Sequence, residues 1–330
     1  MIRSVMGCAL LAFFATPARA ELPPTDISYR IEVSIDPASR RYSGHEVLRW
    51  KNRADRPIDA VPMHLYLNAF ANRASTWMRE SFLRGIEWDE FLRQYDDPWG
   101  WVEPTAIRQR TPRGERALSW RAIQPDDENA LDRTLIEVRL ANAVEPAEWL
   151  EIVIEFAARM PVPIARTGCV PDFCLVAQWF PKIAVLDTGR WAAHQFHGPT
   201  EFYADFADYD VTIDAPSGWL VRATGKSQPP RDPAPDGVQR VRHVQRAVHD
   251  FAIVLGSDLV ESVDAHRPKG GGPEVEVHYL LPSRAAATDT LLPRARYAVE
   301  GTLDILGSEV GPYPYDVLTV VTPPYRGRRT

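Results

Sequence analysis

The chain has 330 residues, of which 45% are hydrophobic and 25% charged, enough apolar mass for one or two ordinary cores and too much for a disordered chain. A formal net charge of -6 excludes the basic excess on which a nucleic-acid-binding surface relies. The 29 prolines mark frequent turns and sheet edges, which favours a β-rich chain over a helical bundle.

Met1–Ala20 places Arg3 near its start, an apolar stretch from Cys8 to Phe14, and Ala18-Arg19-Ala20 at its end, the pattern of a cleaved secretory signal. The apolar stretch falls short of the roughly 20 residues that span a bilayer. No later window is long and apolar enough to span one, so the expected location is the periplasm or the exterior. Export leaves Cys169 and Cys174 in GCVPDFC. In an oxidising compartment so close a pair is expected to form a local disulfide, and no second pair stands by to complete a zinc site.

Ile27–Asp36 alternates apolar and polar residues as a strand with one buried face does, and His45–Trp50 and Met63–Leu67 continue the pattern as an antiparallel meander. His45-Glu46 starts like a zinc-helix motif, but Val47-Leu48-Arg49 follows and the second histidine is missing, so both are expected to be strand residues. From Asn68 to Asp132 the alternation stops. Trp77, Met78, Phe82, Leu83, Ile86 and Leu92 fall near helical spacing, which predicts one or two inserted helices. The tryptophans Trp77, Trp88, Trp99, Trp101 and Trp120 are expected chiefly to pack this insertion onto a sheet.

Strand patterns resume at Thr134–Leu140 and Trp149–Phe156, and again at Tyr209–Ile213, Trp219–Gly225, Gln239–Gln245 and Phe251–Leu255. Pro229–Gly237 has the composition of a hairpin loop. The expected architecture is mainly β, an antiparallel β-sandwich with a helical insertion over residues 21–268. Lys269-Gly270-Gly271-Gly272-Pro273 reads as a linker. Residues 274–330 then give a strand at Val275–Leu281, an apolar stripe at Leu292, Ala295, Val299, Leu303, Leu306 and Val310 on a helix starting near Thr290, and a buried strand at Val317–Val321. That order suggests the start of an α/β domain, too short to bury a core of its own.

Between the sandwich strands lies Gln178–Gly225, where Trp179, Phe180, Trp191, Phe196, Phe202, Tyr203, Phe206 and Tyr209 accompany His194, His197 and several carboxylates. Asp36-Pro37-Ala38-Ser39-Arg40, Gly44-His45-Glu46, Leu65-Tyr66-Leu67-Asn68, Gln178-Trp179-Phe180-Pro181, Phe202–Phe206 and Gly311–Tyr315 occur in an order that resembles the M1 family of zinc aminopeptidases. The resemblance implies an amino-terminal β-sandwich followed by the first part of a thermolysin-like catalytic domain. It also implies a zinc ion held by His-Glu-x-x-His and a distant Glu, behind a Gly-x-Met-Glu-Asn loop. None of these motifs occurs in the 330 residues, and the chain ends in Arg326-Gly327-Arg328-Arg329-Thr330, which suggests a truncated or frame-shifted product or a gene model cut short.

The family places a glutamine of its amino-terminal domain near the free amino end of the substrate. Gln178 is the counterpart the resemblance offers, although its spacing to Phe180-Pro181 departs from the family's, and Lys182 stands where the family has Cys. His194, His197 and Glu201 have metal-ligand spacing for one face of a helix. Gly198-Pro199 breaks any such helix, so loop or cleft-lining roles are expected and no metal site. Two functions remain: the front portion of an exported zinc metallopeptidase acting on peptides, inactive without its zinc motif, or a non-catalytic β-sandwich binding protein.

Overall fold

The computed structural model describes residues 22–324 apart from 87, 201, 288 and 289, so the expected signal segment and the arginine-rich tail Arg326–Thr330 lie outside the described residues. The frame is an eight-stranded sheet in the order Lys226–Gln228, Val238–Val248, Ala207–Pro216, Ile27–Asp36, Arg41–Lys51, Trp149–Arg159, Trp101–Thr111, Gly114–Ala117. All its pairings are antiparallel except Ile27–Asp36 with Ala207–Pro216, which run parallel. Two four-stranded sheets complete the sandwich: Leu220–Ala223, Ile253–Gly256, Phe173–Val176 and Gly168–Val170 form one. Lys182–Ile183, Ile58–His64, Leu135–Val144 and Ser119–Ala122 form the other.

The alternation read from sequence is the alternation of burial. Ile27, Tyr29, Ile31, Val33 and Ile35 point into the core while the residues between them face outward. One continuous apolar cluster runs from Ile27 to Leu255 and draws on all three sheets. At Gly44 the ring of its cross-strand partner Phe156 lies where a β-carbon would stand, 2.3 Å from it, so only glycine admits that ring.

The helical insertion holds Thr76–Leu83 and Asp89–Leu92. Ser75 caps the first, its hydroxyl accepting from the Met78 amide at 3.3 Å. Trp77 and Met78 are buried and Leu83 is exposed. The insertion is shorter than the expected 68–132, because Trp101–Thr111, Gly114–Ala117 and Ser119–Ala122 are strands. A bulge between Pro104 and Ala106 shifts the register, and Gln109 points inward, which together erase the two-residue period.

The chain changes sheets earlier than residues 269–273. Leu259–His266 pairs antiparallel with Val275–Pro282, and Lys269–Pro273 lies in the turn between them. Val275–Pro282 pairs in parallel with Val317–Val321, and the helix Leu291–Glu309 connects the two. Val275, Val277, Tyr279, Leu281 and Leu303 form the small core of this unit. Phe173, Val254 and Leu280 form a separate cluster joining it to the sandwich.

Candidate functional site

Gln178 lies between the strands Phe173–Val176 and Lys182–Ile183, buried, with φ at +55°, a left-handed conformation that non-glycine residues adopt only when their surroundings over-determine it. Its side chain supplies that constraint. Gln178 Oε1 accepts from Lys182 Nζ at 3.1 Å, and Gln178 Nε2 donates to Asp250 Oδ2. Lys182 Nζ also pairs with Asp250 Oδ1 at 2.7 Å and sits 5.1 Å above the Phe180 ring. The three side chains form a closed triangle in which the acceptor of Gln178 already holds an ammonium belonging to the chain.

Aromatic rings fix the triangle in place. Trp179 Nε1 donates to the Phe251 carbonyl at 2.8 Å, Tyr42 OH to the Trp179 carbonyl at 2.7 Å, and the Ile183 amide to Tyr29 OH at 3.2 Å. Tyr29 stacks on Tyr209 at 5.0 Å and meets Phe180 edge-on at 5.3 Å. Burial pushes the hydroxyls of Tyr29, Tyr42 and Tyr209 well above the ordinary tyrosine range.

Two further polar groups lie in the sandwich interior. Glu46 is fully buried with neither carboxylate oxygen hydrogen-bonded, and His64, opposite Lys182 in the strand register, has neither ring nitrogen in a well-formed hydrogen bond. Burial drives the Glu46 carboxyl well upward against the opposing pull of the Lys182 ammonium. Burial and then Lys182 hold the His64 imidazole down at about 3, so both groups take their neutral forms.

His194 and His197 come together on a shared carboxylate. Asp126 faces His194 Nδ1 at 2.8 Å and His197 Nε2 at 3.1 Å, while His197 Nδ1 faces Glu80 Oε1 at 2.7 Å. The Gly198 amide donates to Glu80 Oε2 at 2.6 Å, and the Gln195 amide to Asp126 Oδ2 at 2.8 Å. Burial works against the charge on His197, yet its bonds to Glu80 and Asp126 raise its pKa. Burial likewise opposes the Asp126 charge, and the two imidazoles hold that carboxyl below its usual range. Glu201 lies outside the described residues. Among the described residues no group of three or more His, Cys, Asp and Glu side chains is arranged to hold a metal ion. The donor set does not fit catalytic zinc: the two imidazoles are committed to carboxylates on the helical insertion and its return loop, and no His-Glu-x-x-His is present.

Cys169 and Cys174 face each other across the hairpin of Gly168–Val170 and Phe173–Val176 and are joined by a disulfide. Sequence reasoning missed Asp250, 72 residues from Gln178, and Asp126, 68 residues from His194. It passed over Glu46 as a strand residue, though a signal was present: Tyr42, Gly44, Glu46, Leu48 and Trp50 share one parity, so the carboxylate had to face the core.

With the geometry in hand, comparison with known proteins gives a fold. No protein-family model matches the sequence, and no curated protein matches it. Among solved structures, an M1 zinc metallopeptidase from Deinococcus radiodurans superposes with a TM-score of 0.55 at 14% identity, over 92% of this chain and 58% of that one. A mutant of a two-domain M1 zinc metallopeptidase bound to L-tryptophan gives 0.56 at 14% identity, over 92% and 59%. A mutant bound to L-arginine gives 0.55 at 15% identity, over 92% and 58%. The chain therefore has the β-rich fold found in these peptidases and spans less than two thirds of their length. Among the described residues no helix is long and apolar enough to cross a membrane.

Proposed function

We propose that this chain is the front portion of an exported M1-type zinc metallopeptidase, aminopeptidase-like in the reaction of the whole protein. The observation that carries the reading is the fold likeness over 92% of the chain, in step with sequence segments that occur in the family's order. On this reading the sandwich strands from Ile27 to Gly256 form the amino-terminal domain, and the unit that starts at Leu259, with the sheet of Leu259–His266, Val275–Pro282 and Val317–Val321, belongs to the catalytic domain. The zinc ligands are supplied by sequence other than these 330 residues. Gln178 is the residue of this chain nearest in kind to the family's substrate-facing glutamine, and its tie to Lys182 leaves it to act by shaping the cleft wall rather than by taking up a substrate ammonium. Met1–Ala20 and the Cys169–Cys174 pair support an oxidising compartment outside the cytoplasm.

The test is to read the DNA beyond the codon for Thr330 in three frames, then express both the 330-residue chain and any longer product. A Gly-x-Met-Glu segment followed by His-Glu-x-x-His is expected, with one bound zinc and chelator-sensitive hydrolysis of aminoacyl arylamides in the longer product alone. Hydrolysis by the 330-residue chain, or unrelated downstream sequence, overturns the proposal; the latter result supports a free-standing binding protein.

A further inference from the structure

A cleft of about 300 Å³ opens where the start of the strand Trp101–Thr111, the edge strand Ser119–Ala122 and the short 3-10 helix Tyr66–Phe70 meet. The segments that wall it, 65–72, 101–104, 119–122 and 131–136, lie wholly within the described residues. Two half-buried indoles line it, Trp101 and Trp120. Trp120 packs against the sandwich core, and the Arg41 guanidinium stands 6.0 Å from the centre of the Trp101 ring.

Buried Asn68 fixes the floor. Its Oδ1 accepts from the Val102 amide at 2.9 Å and its Nδ2 donates to the Arg133 carbonyl at 2.8 Å, which ties the segment carrying Trp101 to the one carrying Arg133. The rim sets a donor beside an acceptor. Arg133 Nη2 and Glu103 Oε1 stand 3.8 Å apart, beyond hydrogen-bond distance, with side chains 66% and 61% exposed. Asn72 Oδ1 accepts from the Ala74 amide at 2.7 Å, while Asn72 Nδ2 makes a long bond of 3.4 Å to the Leu131 carbonyl and has a second N–H to give.

This chemistry narrows the ligand. Indole faces take a flat apolar surface, and the rim asks for groups that donate and accept at once, as hydroxyls do. Vicinal hydroxyls bond to Glu103 and Arg133 without separating the two charges. A proline-rich peptide brings apolar rings but no N–H for the Glu103 carboxylate. A free amino acid sets its ammonium on Glu103 and its carboxylate on Arg133 only by displacing an attraction already present. A pyranose with equatorial hydroxyls meets both demands, its ring C–H groups forming the flat faces and its hydroxyls the edge.

The geometry points to this cleft as a binding site for a gluco-configured pyranose, the ring against the tryptophans and the hydroxyls on Glu103, Arg133 and Asn72. The size agrees. A cavity of ~150 Å³ accepts a benzene ring, so about 300 Å³ holds a six-membered ring with its substituents. The sugar is either free or part of a glycan chain. The inference concerns binding by the 330-residue chain and does not depend on zinc chemistry.

Calorimetric titration of the 330-residue protein with methyl β-glucoside, methyl β-galactoside, cellotriose, hexaproline and L-phenylalanine decides it. The glucoside is expected to bind tighter than the galactoside, whose axial hydroxyl interrupts the flat face. Trp101→Ala and Trp120→Ala are each expected to weaken the glucoside about tenfold. Trp120 packs on the core, so Trp120→Phe is the second variant there, expected to keep the parent Tm and part of the affinity. Glu103→Ala and Arg133→Ala, both at exposed side chains, are expected to keep the parent Tm and to lose about fivefold each. Cellotriose bound more tightly than the glucoside supports a stretch of glycan chain, and equal binding supports a single free or terminal sugar. Several results overturn the inference: hexaproline or L-phenylalanine bound more tightly than the glucoside, equal affinity for the two glycosides, undiminished affinity in Trp101→Ala or in the Glu103→Ala, Arg133→Ala double variant, or no binding of any saccharide.

Discussion

The strand Ala207–Pro216 buries every second side chain along its full length, whereas Val317–Val321, more apolar residue for residue, leaves all five half-buried. The helix Leu291–Glu309 buries only Leu303 and Gly307 among its 19 residues; Tyr297 on it and Val310 just past its end stand 83% exposed. Burial follows from the layers that surround a segment more than from the segment's own composition. In the sandwich, strands from residues far apart in sequence close over each face. In the unit from Leu259 to Val321, three strands, the short helix Ser283–Ala286 and the helix Leu291–Glu309 surround a core of five buried side chains, with the bridge at Phe173, Val254 and Leu280 tying it to the sandwich.

That contrast can be broken by core truncation, where the largest effect is expected. Trp179→Ala removes a fully buried indole packed against Tyr42, Phe156 and Phe180, and is expected to cost about 3–5 kcal/mol in urea unfolding. Leu303→Ala in the smaller core is expected near about 2 kcal/mol, the bottom of the range for buried leucine. Equal losses would mean that the two cores are equally tight.

Next comes the buried ion pair, which sharpens the view of the sandwich as the dry region. Asp250→Ala strands the Lys182 ammonium, 2% exposed, and is expected to cost about 3 kcal/mol. Lys182→Met is expected to cost clearly less, because Asp250 reaches solvent at 27% exposure and can hydrate. A reversed order would show that Lys182, not Asp250, has the route to water.

The pH dependence should also reside in the sandwich. The His64 pKa is lowered from 6.5 to about 3 in the fold, so its contribution is complete above pH 6.5 and drains away as pH falls toward 3, while the unfolded chain takes up the proton. The slope is about 1.4 kcal/mol per pH unit, so roughly 2 kcal/mol is lost by about pH 5. His243, lowered by burial to about 4, adds to the slope. Urea midpoints across this range should flatten in His64→Leu. A comparable effect is expected from the disulfide. Opening the loop between Cys169 and Cys174 with Cys169→Ser plus Cys174→Ser is expected to cost about 2 kcal/mol by the chain-entropy model. Smallest of all, Tyr297→Ser on the exposed helix face and Val310→Ser just past the helix end should change stability by less than about 0.5 kcal/mol per site.

Much of the fold was legible because burial on one face imposes a period of two. Ile27–Asp36 and Val317–Val321 were found with their observed bounds, and the expected helix near Thr290 begins at Leu291. Where the period was disturbed, as by the bulge at Pro104, strands were missed. Leu259–His266 was missed for a related reason: its residues alternate only between half-buried and exposed, so no apolar period marks them. The site was far less legible. Asp250 and Asp126 are joined to Gln178 and to the two histidines only by tertiary contact, and nothing local distinguishes them from surface acids.

The parallel pairing of Ile27–Asp36 with Ala207–Pro216 governs how the protein can be made. The first strand of the frame must wait with one side bare until nearly two hundred further residues have emerged, and a bare strand edge invites pairing with other chains. A nascent polypeptide of this design therefore gains by staying unfolded or chaperoned until Pro216 is available, and a variant that slows synthesis before that point should aggregate more than one that slows it afterwards.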